Sequence, residues 1–161
     1  MKANTKEIIL NCKCATYDVY SGYVGRLGLF CYYHEYPQMQ TITKELRILE
    51  SVSGPTANKG SRVITVNMTP YLAADDYAQI IHCAEKFGLL FVMTKKGILY
   101  VYEMTSGVLV YWHKVIAQDS LKIVHWCRNC ATDGIVILIN NGDLIHIDVK
   151  EDRILDFIFS T

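Results

Sequence analysis

The sequence predicts an all-β chain built from repeated four-stranded antiparallel units. Three observations carry that reading. Eleven tyrosines and many β-branched residues stand against three prolines in 161 residues, a bias towards strands. The chain also repeats itself. Gly97-Ile98-Leu99-Tyr100-Val101-Tyr102-Glu103 and Gly142-Asp143-Leu144-Ile145-His146-Ile147-Asp148 are each a turn glycine, a period-two strand and an acidic residue, 45 positions apart. The same offset carries Leu90–Thr94 onto Ile135–Ile139, Lys95-Lys96-Gly97 onto Asn140-Asn141-Gly142, and Val108–His113 onto Arg153–Ile158. Finally, each copy holds four strand-sized runs joined by short polar turns. Four antiparallel strands recurring every 40–45 residues or so are the mark of a propeller blade. The predicted architecture is a partial β-propeller of about three four-stranded blades plus a remnant strand.

In chain order, residues 1–14 are expected to be the remnant strand of a preceding blade. Residues 15–70 form a divergent blade, with Ala15–Tyr20 innermost, then Leu29–Tyr33, Leu46–Glu50 and Arg62–Val66. Its last two strands are separated by the polar loop Ser53-Gly54-Pro55-Thr56-Ala57-Asn58-Lys59-Gly60. Leu72-Ala73-Ala74-Asp75-Asp76 is too short for more than a turn or helical stub. Residues 77–116 are the next blade, with strands near 78–83, 89–94, 98–103 and 108–113. Residues 121–159 are the last, with strands near 123–127, 135–139, 143–148 and 153–158. Asn141-Gly142 is a hairpin signal, because both central positions of a type I′ turn need positive φ. The second strand of each copy is almost wholly apolar, as a strand buried on both faces should be. The third alternates Leu99 and Val101 against Tyr100 and Tyr102, as expected further out. Three blades and a remnant cannot close a ring. The end blades would show apolar faces and open edges to solvent, so either the chain is part of a longer propeller or something else completes it.

Charge and composition narrow the function. Sixteen basic residues balance sixteen acidic ones, which removes the whole-chain argument for nucleic acid or an anionic membrane as partner. No apolar run approaches the 18–20 residues or so of a membrane span, and Ile8-Ile9-Leu10 is too short for a signal-peptide centre. The chain is expected to be soluble and cytosolic, with its six cysteines reduced. Cys31 and Cys83 sit in apolar runs, where cysteine behaves as a small hydrophobe. Cys12-Lys13-Cys14 and Cys127-Arg128-Asn129-Cys130 do not make the two tight pairs of a structural zinc site, so no metal is expected.

No catalytic constellation emerges, and no cofactor is expected. Asp75-Asp76 reads as a solvated turn. His34 and His82 lack a Ser or Asp partner at a recognisable spacing. A Cys127 or Cys130 nucleophile would need a placed histidine, and strand geometry is expected to hold His125 on the opposite face. The glycines Gly22, Gly25 and Gly28 lack the strand-to-helix context of a phosphate loop. The chain is read as a non-catalytic scaffold.

The run Ala84-Glu85-Lys86-Phe87-Gly88-Leu89-Leu90-Phe91-Val92-Met93-Thr94-Lys95-Lys96-Gly97, then Leu99–Glu103 and Thr105-Ser106-Gly107, resembles a blade of the clathrin heavy chain family. Asp75–Ile80 resembles the segment that leads into it, and Leu46–Glu50 with Gly54-Pro55-Thr56 and Asn58 resembles the end of the preceding blade. Together they are similar to the C-terminal half of that family's N-terminal propeller, roughly blades four or five to seven. The resemblance implies a protein of clathrin-coated pits and vesicles, on their cytosolic face, that takes part in endocytosis and intracellular protein transport. It implies short adaptor-protein peptides as ligands, captured in grooves between blades. The remaining blades and helical leg of a heavy chain would be further partners, and clathrin light chain would be reached only through that leg. Neither the first half of the family propeller nor the leg lies within these residues, and Val19 stands where a second family groove has a polar side chain. The residues best suited to peptide contact are the cations Lys95, Lys96 and Arg128 and the aromatics Tyr100, Tyr102, Tyr111 and Trp112. The rival reading is a self-associating β-rich interaction module without coat function.

Overall fold

The computed structural model describes residues 18–25, 28–51, 61–150 and 153–160. Remnant strand 1–14, Cys12, Cys14 and the 53–60 loop lie outside the described residues. The rest folds into three four-stranded sheets, all antiparallel. The first blade runs β1 (Asp18–Val24), β2 (Leu29–Gln38), β3 (Thr41–Ser51) and β4 (Ser61–Asn67). The second runs β5 (Ala78–Ala84), β6 (Leu89–Thr94), β7 (Ile98–Glu103) and β8 (Leu109–Lys114). The third runs β9 (Ile123–Asn129), β10 (Gly134–Ile139), β11 (Leu144–Lys150) and β12 (Arg153–Ser160). Each sheet pairs its strands in sequence order. The architecture is a partial propeller.

The repeat extends to individual hydrogen bonds. Gly97 N donates to the Thr94 carbonyl and Gly142 N to the Ile139 carbonyl, each at 2.9 Å. Lys95 N donates to the Tyr77 carbonyl and Asn140 N to the Lys122 carbonyl, again at 2.9 Å. Donors and acceptors are all displaced by the same 45 residues that separate the sequence copies. The first blade departs from its sisters in length. Its β2–β3 hairpin stays in register out to Gln38 opposite Thr41, and turns through Met39 at a φ of 56°. The sequence reading stopped these strands short, at Tyr33 and Leu46. Residues 35–45 extend the same ladder beyond the core, so their outward positions no longer show the apolar pattern that marks a buried strand.

Two cores hold the sheets together. Between the first and second blades, Tyr33 and Leu46 meet Ile81, Cys83, Leu90, Val92, Tyr100 and Tyr102. Between the second and third, Ile80, Phe91, Met93, Leu99 and Val101 meet Ile135, Ile137 and Ile147. The alternation in β7 therefore corrects one expectation. It separates two cores rather than core from solvent, and all four residues Leu99–Tyr102 are buried. A blade flanked on both sides has no solvent face until its outermost strand, where β8 becomes exposed towards its end. On the outer face of the first blade, Val24, Phe30, Leu49 and Val63 stand in register across its four strands, three of them well exposed among the described residues.

The connector from β4 to β5 is tied to the first blade by a buried lysine. The Lys44 ammonium donates to the carbonyls of Ala73 (2.8 Å), Ala74 (3.1 Å) and Asp76, with the Glu35 carboxylate 3.7 Å away. A buried ammonium needs this density of acceptors to offset its lost hydration. The result fixes residues 68–77 against the blade seam, where they form one wall of a groove.

Candidate functional site

The groove lies between the β4–β5 connector and the outer strands of the second blade, and has a volume of about 410 Å³. Pro70 and Tyr71 supply one wall; Ile98, Tyr100, Leu109 and Trp112 supply the other. Local chemistry explains why Tyr71 faces outward. After β4, the amides of Tyr71 and Leu72 both donate to the Met68 carbonyl, closing a tight turn. Met68 and Leu72 are buried, which draws the turn into the core and leaves Tyr71 57% exposed on its outer side. Trp112 sits on β8 directly opposite Tyr100 of β7 and is 61% exposed. The Tyr71 and Tyr100 rings lie 6.4 Å apart, and the Tyr100 hydroxyl donates to the Tyr71 carbonyl at 3.3 Å. Burial, and secondly the Asp76 charge, push the Tyr100 phenol above its ordinary pKa, so it is a neutral donor. The site offers aromatic surface beside an outermost strand.

The seven residues singled out from the sequence do not form one site. Tyr100 and Trp112 line this groove. Tyr102 lies wholly in the first core, and its hydroxyl has no hydrogen-bond partner among the described residues. Tyr111 points to the other face of β8 and packs against the second core. Lys95 and Lys96 form the β6–β7 turn. Lys96 pairs with Asp75 at 2.9 Å, and the Lys95 ammonium lies 5.8 Å from the Tyr77 ring centre. Arg128 faces a different groove, of about 420 Å³, between the second and third blades. There it pairs with Asp133 at 3.0 Å, beside Lys86 and Phe87. Pro70, Tyr71, Ile98 and Leu109 escaped the sequence reading. Tyr71 was legible only as an aromatic beside a proline in a short connector, and nothing local says which blade it faces.

Three further expectations change. Asp75 is a solvated turn residue, but Asp76 is buried, and one of its oxygens accepts the amides of Tyr77 and Lys96 at 3.0 Å each. It organises the turn rather than facing solvent. His82 does acquire a partner, from another blade: its Nε2 lies 2.9 Å from the Asp133 carbonyl oxygen. Burial pushes the His82 imidazole below its ordinary pKa, more than the neighbouring Asp133 raises it. Lastly, His125 and Cys127 share a face of β9, since residues two apart on a strand point the same way. They stand opposite Leu138 and Val136 on that face, and Cys127 is exposed.

No family model matches the chain. Curated relatives do, and they are clathrin heavy chains. The sequence is 25% identical over 132 residues to clathrin heavy chain 2 of Oryza sativa, an alignment covering 82% of this chain and 8% of that protein. It is 23% identical over 133 residues to the clathrin heavy chain of Drosophila melanogaster, covering 81% of this chain and 7% of that one. It is 20% identical over 117 residues to the clathrin heavy chain of Dictyostelium discoideum, covering 73% and 7%. The chain is thus a relative of the clathrin heavy chains along most of its own length and spans less than a tenth of theirs.

Proposed function

We propose that this chain is a non-catalytic clathrin-type scaffold of coated vesicles, and that it docks short adaptor peptides in the groove between the β4–β5 connector and its second blade. The observation that carries the docking reading is the pair of exposed aromatics, Tyr71 and Trp112, lining one groove whose connector is tied to the first blade by Lys44. Rigid aromatic side chains at a concave seam bind extended peptides at low entropic cost. An apolar peptide side chain would seat between Pro70, Tyr71 and Trp112, while the peptide backbone runs beside β8. The coat role follows the kinship with heavy chains. On this reading the chain works at the cytosolic face of coated pits and vesicles, with the rest of a heavy chain as its partner. No described helix is long and apolar enough to cross a membrane, and the reading requires none.

The test is titration of fluorescently labelled adaptor peptides into the chain, read by anisotropy. Binding should weaken about tenfold or more in Trp112→Ala and in Tyr71→Ala, as for truncated interface anchors. Arg128→Ala, in the other groove, should leave it unchanged. If the wild-type chain binds no adaptor peptide, or if only Arg128→Ala weakens binding, the groove assignment is wrong.

A further inference from the structure

Cys31 of β2 and Cys83 of β5 belong to different blades and are 52 residues apart, yet their sulfurs lie 3.6 Å from one another. Both residues are fully buried in the core between the first two blades. The contact is a van der Waals or weak S–H···S approach, and a covalent bond would need the sulfurs to close to about 2.05 Å.

We propose that Cys31 and Cys83 are a latent inter-blade cross-link, a modification site that oxidation by a hydroperoxide converts into a disulfide. One sulfur attacks the peroxide oxygen, breaking the O–O bond, to give a sulfenic acid and one water. The second thiol then attacks the sulfenic sulfur; the S–S bond forms, the S–O bond breaks and a second water leaves. Two thiols lose two hydrogens and two electrons, and one peroxide takes them up. The contact with the Cys31 thiol, and secondly burial, push the Cys83 thiol well above its ordinary pKa, so attack occurs when the seam opens briefly rather than from the closed state. Once formed, the bond would hold the first two blades together, whatever occupies the aromatic groove.

The experiment uses the full chain with Cys12, Cys14, Cys127 and Cys130 replaced by serine, treated with hydrogen peroxide. The expected result is loss of two hydrogen masses and a proteolytic fragment joining the Cys31 and Cys83 peptides. Thermal stability should rise by several degrees and return to its starting value with dithiothreitol. Cys31→Ser in that background should abolish all three changes. Peptide mapping of the oxidised wild-type chain gives the same readout if the serine variant does not fold. A chain that stays at its reduced mass, gains oxygen at either sulfur without cross-linking, or links only between molecules would overturn the proposal.

Discussion

The two turn glycines of the repeat should respond unequally to the same substitution. Gly97 and Gly142 hold equivalent places 45 residues apart, with φ of 84° and 94°. Alanine at either position pays for left-handed backbone, about 1–2 kcal/mol. Space separates them. A Cβ on Gly142 would meet no described atom within 4 Å. A Cβ on Gly97 would run into the Cβ of Ile116 and come within 2.9 Å of its Cγ1. Ile116 is buried, and both its amide and that of Val115 donate to the Gly97 carbonyl, at 3.1 and 2.8 Å. The clash is with an atom fixed to the backbone, so a rotamer change cannot relieve it. An overpacking cost of about 1–3 kcal/mol adds to the conformational one. Gly97→Ala should therefore lose about 2–5 kcal/mol and Gly142→Ala about 1–2 kcal/mol. Urea unfolding followed by fluorescence of Trp112 and Trp126 measures both, provided the slopes match wild type. Equal losses, within about 0.5 kcal/mol, would refute the Ile116 argument.

Other variants probe the buried polar groups. Lys44→Met removes the ammonium from three carbonyls and Glu35, and should cost about 3–5 kcal/mol. Hydrogen exchange should show the amides of Tyr71, Leu72 and Asp76 losing protection; unchanged exchange would mean the connector holds without Lys44. Tyr102→Phe deletes a buried hydroxyl that has no partner among the described residues, so stability should stay level or rise by about 1 kcal/mol. A comparable loss would reveal a partner. Burial pushes both His34 and His82 below their ordinary pKa of 6.5. The unfolded chain then binds the proton more readily than the folded one, so stability is full above about pH 6.5 and falls as the pH drops below it. The slope can reach about 1.4 kcal/mol per pH unit for each histidine. Unfolding midpoints across that range should show a shallower acid limb in His82→Gln, and an unchanged limb would remove His82 from the account.

Most of the architecture was readable because it is written locally. A strand's period, a turn glycine and an offset of 45 residues are properties of neighbouring residues, and they placed the four strands of the second and third blades close to where they lie. The 35–45 hairpin arm was missed because most of its side chains are polar or charged, so no apolar pattern marks it. Which face of β7 is solvated could not be read from its alternation. Leu99/Val101 and Tyr100/Tyr102 alternate in size and shape, and both sets are apolar enough to fill a core. What remained undecided in the sequence involves pairs that are distant along the chain. Tyr71 of the connector meets Tyr100, His82 meets Asp133 and Cys31 meets Cys83 only in the folded chain. Their separations of 29, 51 and 52 residues carry no local signature. The sequence by itself determined the blades, because hydrogen-bond ladders and turns are local. Only the tertiary structure decided the groove, because where a connector folds back on a sheet is set by contacts between distant residues.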